Sequence, residues 1–132
     1  AGMHLEPIKF ATVRLGNVIE TKGNVFEIWN EQLQNNEKLS ITVPEMKRYY
    51  FKIEEAVEFI LNCIPKINEG EIFVPKMKSY TIKSLADKIS KKHKIIGLRQ
   101  GEKLEEILIT DVEKKIAKEL KDMWVISDYR CL

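Results

Sequence analysis

Apolar and polar positions along this chain repeat with two periods, one suited to strands and one to helices. Residues 10–16, FATVRLG, are rich in β-branched and aromatic side chains and stop at a glycine, the pattern of a buried strand. After the turn-rich NVIETKGN, Val25, Ile28, Trp29 and Leu33 recur at helical spacing over residues 25–35, with Asn24 and Glu27 three apart as a capping pair. LSITVP (39–44) predicts a short strand ended by Pro44, and Ile53, Val57, Ile60, Leu61 and Ile64 form the apolar stripe of a second helix stopped by Pro65. EIFVP (71–75) reads as another buried strand, and YTIKSLADKIS starts a helix at Thr81 with Leu85 and Ile89 facing inward. The apolar run KIIGLR follows, then a short helix from Glu102 to Leu108, a charged helix striped by Val112, Ile116 and Leu120, and a last strand, MWVIS. Strands separated by helices predict an α/β fold in which some strands pair in parallel.

Composition narrows the classes of function. The 132 residues fit a single domain, 1–132, because an independent domain runs to about 100–200 residues. A net charge of +2, from 22 basic and 20 acidic side chains, advertises no nucleic-acid surface. Lys91, Lys92 and Lys94 cluster without aromatic residues between them, so no nucleic-acid partner is expected. Cys63 and Cys131 are far apart, with no second cysteine or histidine at metal-ligand spacing, and read as reduced thiols. No apolar run approaches the ~20 residues of a membrane helix, and no signal-peptide pattern opens the chain, so a cytoplasmic location is expected. Ala1 and Gly2 before Met3 read as a cloning remnant.

Self-contained catalytic machinery is missing from the pattern. The six glycines are scattered and form neither G-x-G-x-x-G nor a P-loop, so neither a dinucleotide nor a triphosphate has its usual cradle. His4 lies near the chain start and His93 sits in the lysine-rich SKKHKI; neither is placed as a general base. There is no G-x-S-x-G elbow. Tyr49, Tyr50 and Tyr80 are followed four positions later by Ile53, Glu54 and Ser84, not by the lysine of a Tyr-x-x-x-Lys pair.

Five blocks taken in order, VRLGNV (13–18), TKGNV (21–25), MKRYYFKIEEAVEFIL (46–61), GEIFVPK (70–76) and IIGLRQGEKLEEILI (95–109), resemble the C-terminal part of the nucleotide-sugar 4,6-dehydratases. These are extended short-chain dehydrogenase/reductases that make sugars for surface polysaccharides and glycans, and the likeness runs from about Phe10 to Ile126. The resemblance implies an α/β fold corresponding to the substrate-binding C-terminal portion of such an enzyme, short partly parallel strands alternating with helices, with the Rossmann cofactor half absent. It implies that NADP or NAD belongs to the full-length parent and that this chain alone binds no cofactor. In the parent, the cofactor takes a hydride from C4 of the sugar, water leaves across C5 and C6, and the hydride returns to C6.

The same resemblance assigns candidate substrate-binding residues. Asn17 matches an asparagine whose amide contacts the nucleotide-sugar, at a strand end where α/β folds place ligands; read alone, it is also a turn asparagine. Val25 matches a position near the nucleotide base and opens a helix whose N-terminus can offer N–H groups to an anion; it reads equally as core. Arg48 matches an arginine that reaches the diphosphate, although beside two tyrosines it also fits a surface stack or salt bridge. Arg99 matches the arginine that pairs with the diphosphate, and Glu102 the acid that accepts from ribose hydroxyls, with Gly101 letting the backbone bend between them. Glu102 with Lys103 can also simply start a solvated helix. Glu20, Thr21 and Lys47 depart from the family pattern and leave the sugar unassigned.

Two functions are expected from this reading. One is the nucleotide-sugar-binding portion, for a UDP-N-acetylhexosamine, of a 4,6-dehydratase or epimerase-type enzyme, catalytically incomplete alone. The other is a non-catalytic assembly module that forms a homo-oligomer or pairs with a separate Rossmann subunit.

Overall fold

The computed structural model describes residues 7–19 and 21–127; Ala1, Gly2, His4, Glu20 and Cys131, singled out above, lie outside the described residues. In chain order the elements are β1 (Thr12–Val13), β2 (Asn17–Val18), α1 (Val25–Gln34), β3 (Leu39–Ile41), β4 (Lys47–Phe51) and α2 (Ile53–Cys63), which runs into a 3-10 turn (Ile64–Lys66). They continue as β5 (Ile72–Pro75), β6 (Ser79–Thr81), α3 (Ile82–Ala86), β7 (His93–Ile95), α4 (Asp111–Ile116), β8 (Lys118–Glu119) and β9 (Met123–Ile126). The fold is mixed α/β, with parallel strand pairs among the helices as the spacing predicted.

Two compact units emerge, one from residues 7–15, 57–76 and 108–127 and the other from 16–56 and 77–107. The first holds a four-stranded sheet in the order β1-β5-β9-β8. β5 pairs in parallel with β1 and antiparallel with β9, burying Phe73, Val74, Met123 and Ile126. Strand β1 is shorter than the apolar run 10–16 suggests, and Phe10 is left exposed. Helix α4 is also cut short: it ends at Ile116 because the next residues turn into a β8–β9 hairpin closed by Leu120 N–H donating to the Met123 carbonyl. Val112 and Ile116 stay on the surface.

An ion pair fixes α4 to the end of β1. Glu113 is the third residue of α4 and completes a capping box with Thr110, and both of its oxygens also receive the Arg14 guanidinium at 3.0 Å. Arg14 adds a bond of 2.8 Å to the Leu108 carbonyl.

The second unit has its core in Trp29, Leu39, Ile41, Met46, Ile82, Leu85 and Ala86. Helix α1 begins as its caps require: Asn24 Oδ1 accepts from the N–H groups of Phe26 and Glu27, while Glu27 reaches back to the Gly23 N–H. It buries Trp29 alone, whose indole N–H donates 2.7 Å to the Ser40 carbonyl on β3; Ile28 and Leu33 of the predicted stripe remain exposed. Helix α3 starts at its Thr81 cap as expected but ends at Ala86, where the Lys88 and Ile89 N–H groups bond three residues back, to the Leu85 and Ala86 carbonyls; Ser79–Thr81, expected only to lead into it, pairs antiparallel with β4. β3 pairs in parallel with β7, and β2 with β4.

Two helix expectations change. Residues 102–108 contain no helix, for a reason given below. The stripe of α2 and its following turn, Ile53, Val57, Ile60, Leu61 and Ile64, is 40–59% exposed, whereas the buried positions of α2 are Ala56, Phe59 and Cys63.

The Arg14 guanidinium holds the Glu113 carboxyl down to about 2 from its ordinary 4.5, with the Thr110 N–H adding to the effect. A depressed carboxyl stabilises the fold above its unfolded value, and that contribution is lost as pH falls from about 4.5 towards 2. Glu113→Gln is expected to lower stability by about 2 kcal/mol at pH 7. Urea denaturation should show the gap from the native chain closing below pH 4, and a gap constant with pH would show the pair to contribute nothing.

Candidate functional site

All five residues singled out for substrate lie along one cleft of the second unit, a space of about 160 Å³ lined by Asn17, Val25, Arg48, Arg99 and Glu102 among others. They come from β2, α1, β4 and the segment after β7. The sheet explains the first two strand positions. Parallel pairing of β2 with β4 sets Asn17 against Tyr50, and Asn17 donates both amide hydrogens, to the Tyr49 carbonyl and to Glu106 Oε2, each at 3.2 Å. Its Oδ1 is left without a partner among the described residues. Gly16 precedes it because nothing larger fits: a Cβ there would lie 2.7 Å from Tyr49 Cβ and 2.9 Å from the Tyr49 carbonyl oxygen.

The segment carrying Arg99 and Glu102 is placed by β3. Beyond the β3–β7 ladder, Ile96 N–H and Gly97 N–H donate to the Ile41 and Thr42 carbonyls, and Gly97, at φ 77°, then turns the chain. A second turn closes at once: Glu102 N–H donates 3.0 Å to the Arg99 carbonyl, and Glu102 Oε2 accepts from the Arg99 N–H at 3.1 Å. Gly101 sits inside it at φ 81°, the left-handed geometry that favours glycine, as the bend between the two side chains demands. The Arg99 guanidinium is exposed and has no partner among the described residues.

Arg48 is the opposite case. It is only 8% exposed. Nη1 donates to the carbonyls of Lys47 (2.8 Å) and Leu104 (3.4 Å), and Nη2 to the carbonyl of Lys103 (2.8 Å). Glu106 lies 3.4 Å from Nε and Glu102 3.7 Å from Nη2. Lys47 N–H takes the Leu104 carbonyl as well. Carbonyls that a helix over 102–108 would need for its own N–H groups are therefore spent on β4, which is why that helix does not form.

Val25 lines the cleft beside Ile28, Ile41, Met46, Ile82 and Ile96, an apolar wall. The expected anion site at the start of α1 is occupied from within, because Asn24 takes the Phe26 and Glu27 N–H groups and Glu27 puts a negative charge in the first turn. Sequence reasoning missed Glu106 and Tyr50. Burial pushes the Tyr50 phenol up, Arg48 opposing and Glu106 adding, so it stays protonated at neutral pH and faces the same cleft. A wider groove of about 580 Å³ runs along α1, but there Glu27 and Glu31 outnumber its one cation, Lys22, a poorer setting for an anion. Glycines with left-handed backbone, Gly23, Gly70, Gly97 and Gly101, fall in four separate turns. Among the described residues no helix is long and apolar enough to cross a membrane, and no three His, Cys, Asp or Glu side chains are grouped to hold a metal.

A family model described as polysaccharide biosynthesis protein matches residues 3–128. UDP-N-acetylglucosamine 4,6-dehydratase (inverting) of Campylobacter jejuni is 35% identical over 122 residues, 90% of this chain and 36% of that protein. The X-ray structure of Pen from Bacillus thuringiensis superposes with a TM-score of 0.82 at 30% identity, over 92% of this chain and 40% of that one. UDP-glucose 4-epimerase of Thermotoga maritima, solved with UDP-glucose, shares the fold at 21% identity with a TM-score of 0.61, over 82% of this chain and 39% of that one. The chain thus spans between a third and two fifths of the length of these proteins.

Gly16→Ala is expected to cost about 1–3 kcal/mol, because the new methyl would force β2 away from β4. Thermal denaturation reads this directly, and an unchanged melting temperature would mean that the two strands do not approach so closely.

Proposed function

Because the chain belongs to the polysaccharide biosynthesis protein family, we propose that its second unit binds the nucleotide end of a UDP-N-acetylhexosamine, as one portion of a 4,6-dehydratase or epimerase-type enzyme. The observation that carries this reading is that Asn17, Val25, Arg48, Arg99 and Glu102, spread over most of the chain, line a single cleft. Four of the five have a use there. The free guanidinium of Arg99 meets the diphosphate, where its planar fork can bind two oxygens. Glu102 still has lone pairs on both oxygens after its contacts with Arg99 N–H and Arg48, enough to accept from both hydroxyls of a ribose. The apolar wall from Val25 to Ile96 takes the flat base, and Asn17 Oδ1 offers one more acceptor.

Size argues that the portion is incomplete. A cleft of about 160 Å³ is below the ~300–1,000 Å³ usual for small-molecule sites, so the sugar would extend beyond it. In this reading the redox chemistry belongs to NADP or NAD held elsewhere in a longer enzyme. The pure chain is expected to give no dehydratase product with added NADP, and robust turnover would refute this part of the reading.

One observation favours a second reading, an assembly module. The outward face of α2 is a continuous apolar stripe of the kind another subunit covers. Sedimentation velocity should then show association rising with concentration, and a monomer throughout would remove that reading.

Calorimetric titration with UDP and UDP-N-acetylglucosamine tests the main one. Saturable binding is expected, weakened about tenfold or more by Arg99→Ala, as the loss of a charged hydrogen-bonding partner implies. No binding at millimolar ligand, or binding indifferent to Arg99, would overturn it.

A further inference from the structure

Helix α1 breaks surface rules that other helices of the chain keep. Ion pairs three or four residues apart lace α4 and the end of α3, with Lys114 set on Asp111 and with Lys83 and Lys91 on Asp87. In α1 there is no lysine or arginine at all, Glu27 and Glu31 stand four apart as like charges, and the last turn has no basic residue to meet the helix dipole. Amides take the place of cations: Asn24, Asn30, Gln32, Gln34, Asn35 and Asn36 are six of the chain's ten asparagines and glutamines. A surface that gives up local stability in this way is where a ligand is expected.

Space for one stands beside it. The groove of about 580 Å³ falls within the ~300–1,000 Å³ of small-molecule sites. Phe26, Asn30 and Gln34 line it at helical spacing, whereas Val25 and Ile28, from the other side of the helix, line the cleft described above. Among the described residues the exposed side chains of Lys22, Asn30, Glu31 and Gln34 have no hydrogen-bond partner, and Asn24 spends only its Oδ1, on the helix cap. Glu27 gives one oxygen to the Gly23 N–H and keeps the other. The Phe26 ring is held by edge contacts with Trp29 and Tyr50, each 5.5 Å between centroids, so with Ile19 it offers a fixed apolar seat.

These groups suit one ligand chemistry better than others. An anion would meet Glu27 and Glu31, and a cation would leave the amide and ammonium donors unused. A sugar hydroxyl both donates and accepts, so adjacent hydroxyls match planar amides and carboxylates two atoms at a time, and the C–H face of the ring can rest on Phe26. We propose that the groove along α1 is a binding site for an uncharged oligosaccharide, separate from the nucleotide cleft.

The test is an NMR titration of the isotope-labelled chain with N,N′-diacetylchitobiose, cellobiose and maltotriose, with spermidine as a cation probe and UDP as the probe of the cleft. At least one sugar should shift the side-chain amide signals of Asn24, Asn30 and Gln34 together on one saturable curve, leaving Asn17 and Arg99 unmoved. Asn30→Ala and Gln34→Ala, both at exposed positions, should each weaken that sugar about two- to tenfold, as the loss of one neutral hydrogen bond implies. Glu31→Gln keeps an acceptor and adds donors, so sugar binding should stay within about twofold. No saturable shift from any of the three sugars, or a shift that Asn30→Ala and Gln34→Ala leave unchanged, would overturn the proposal. Spermidine binding that Glu31→Gln abolishes, with the sugars silent, would make the groove a cation site and overturn it too. UDP reports on the cleft alone, so failure there would leave the groove standing, and failure at the groove would leave the nucleotide reading untouched.

Discussion

A buried guanidinium cannot be left without acceptors, and much of the second unit follows from that constraint at Arg48. A strand alternates its side chains, so Arg48 and Tyr50 share one face of β4 while Tyr49 takes the other. Burial of Arg48 obliges neighbouring elements to supply oxygens. The segment 102–106 does so with two carbonyls and two carboxylates, giving up its own helix in the process. Because Glu106 also receives the Asn17 amide, the same network ties the end of β2 to β4. Three of the five cleft residues, Asn17, Arg48 and Glu102, are therefore parts of one connected arrangement of charge and hydrogen bonds.

That arrangement sorts the polar groups by availability. Arg48 and Glu106 are largely spent inside the protein, Glu102 keeps unused acceptor capacity, and Arg99 is a free cation on a tight glycine turn. A ligand with a diol and an anionic group spaced along it matches the two groups that remain open. The apolar wall from Val25, Ile28 and Ile82 gives its flat end a dry surface.

Some of this was legible in the sequence, for reasons that differ by residue. Helix α1 was readable because its start is encoded locally: Asn24 caps two N–H groups and Glu27 caps Gly23. β5 and β9 were readable as short apolar runs, and the Gly101 bend from one residue that tolerates φ 81°. Helix 102–108 was misread because Glu102 and Glu106, four apart, mimic the polar face of a helix while serving a distant arginine. No local signal named them as its partners, because Glu45, Glu54 and Glu55 all lie nearer to Arg48 in the sequence. The truncation of α4 and the strand at Ser79–Thr81 depend on pairing with β9 and β4, partners that no local pattern names. On α2 the apolar stripe was found correctly as a pattern, but periodicity does not say whether a face is covered.

The central claim is that one cleft, floored by the Arg48 network, receives a nucleotide diphosphate. Backbone and side-chain amide NMR spectra recorded during titration with UDP test it most directly. The account predicts that the Asn17 side-chain amide and the backbone signals of Val25, Arg99, Gly101 and Glu102 shift together with one saturable curve, while signals of β5 and β9 stay still. Shifts concentrated instead along the outer groove of α1, at Asn30, Glu31 and Gln34, or no shifts at all, would contradict it.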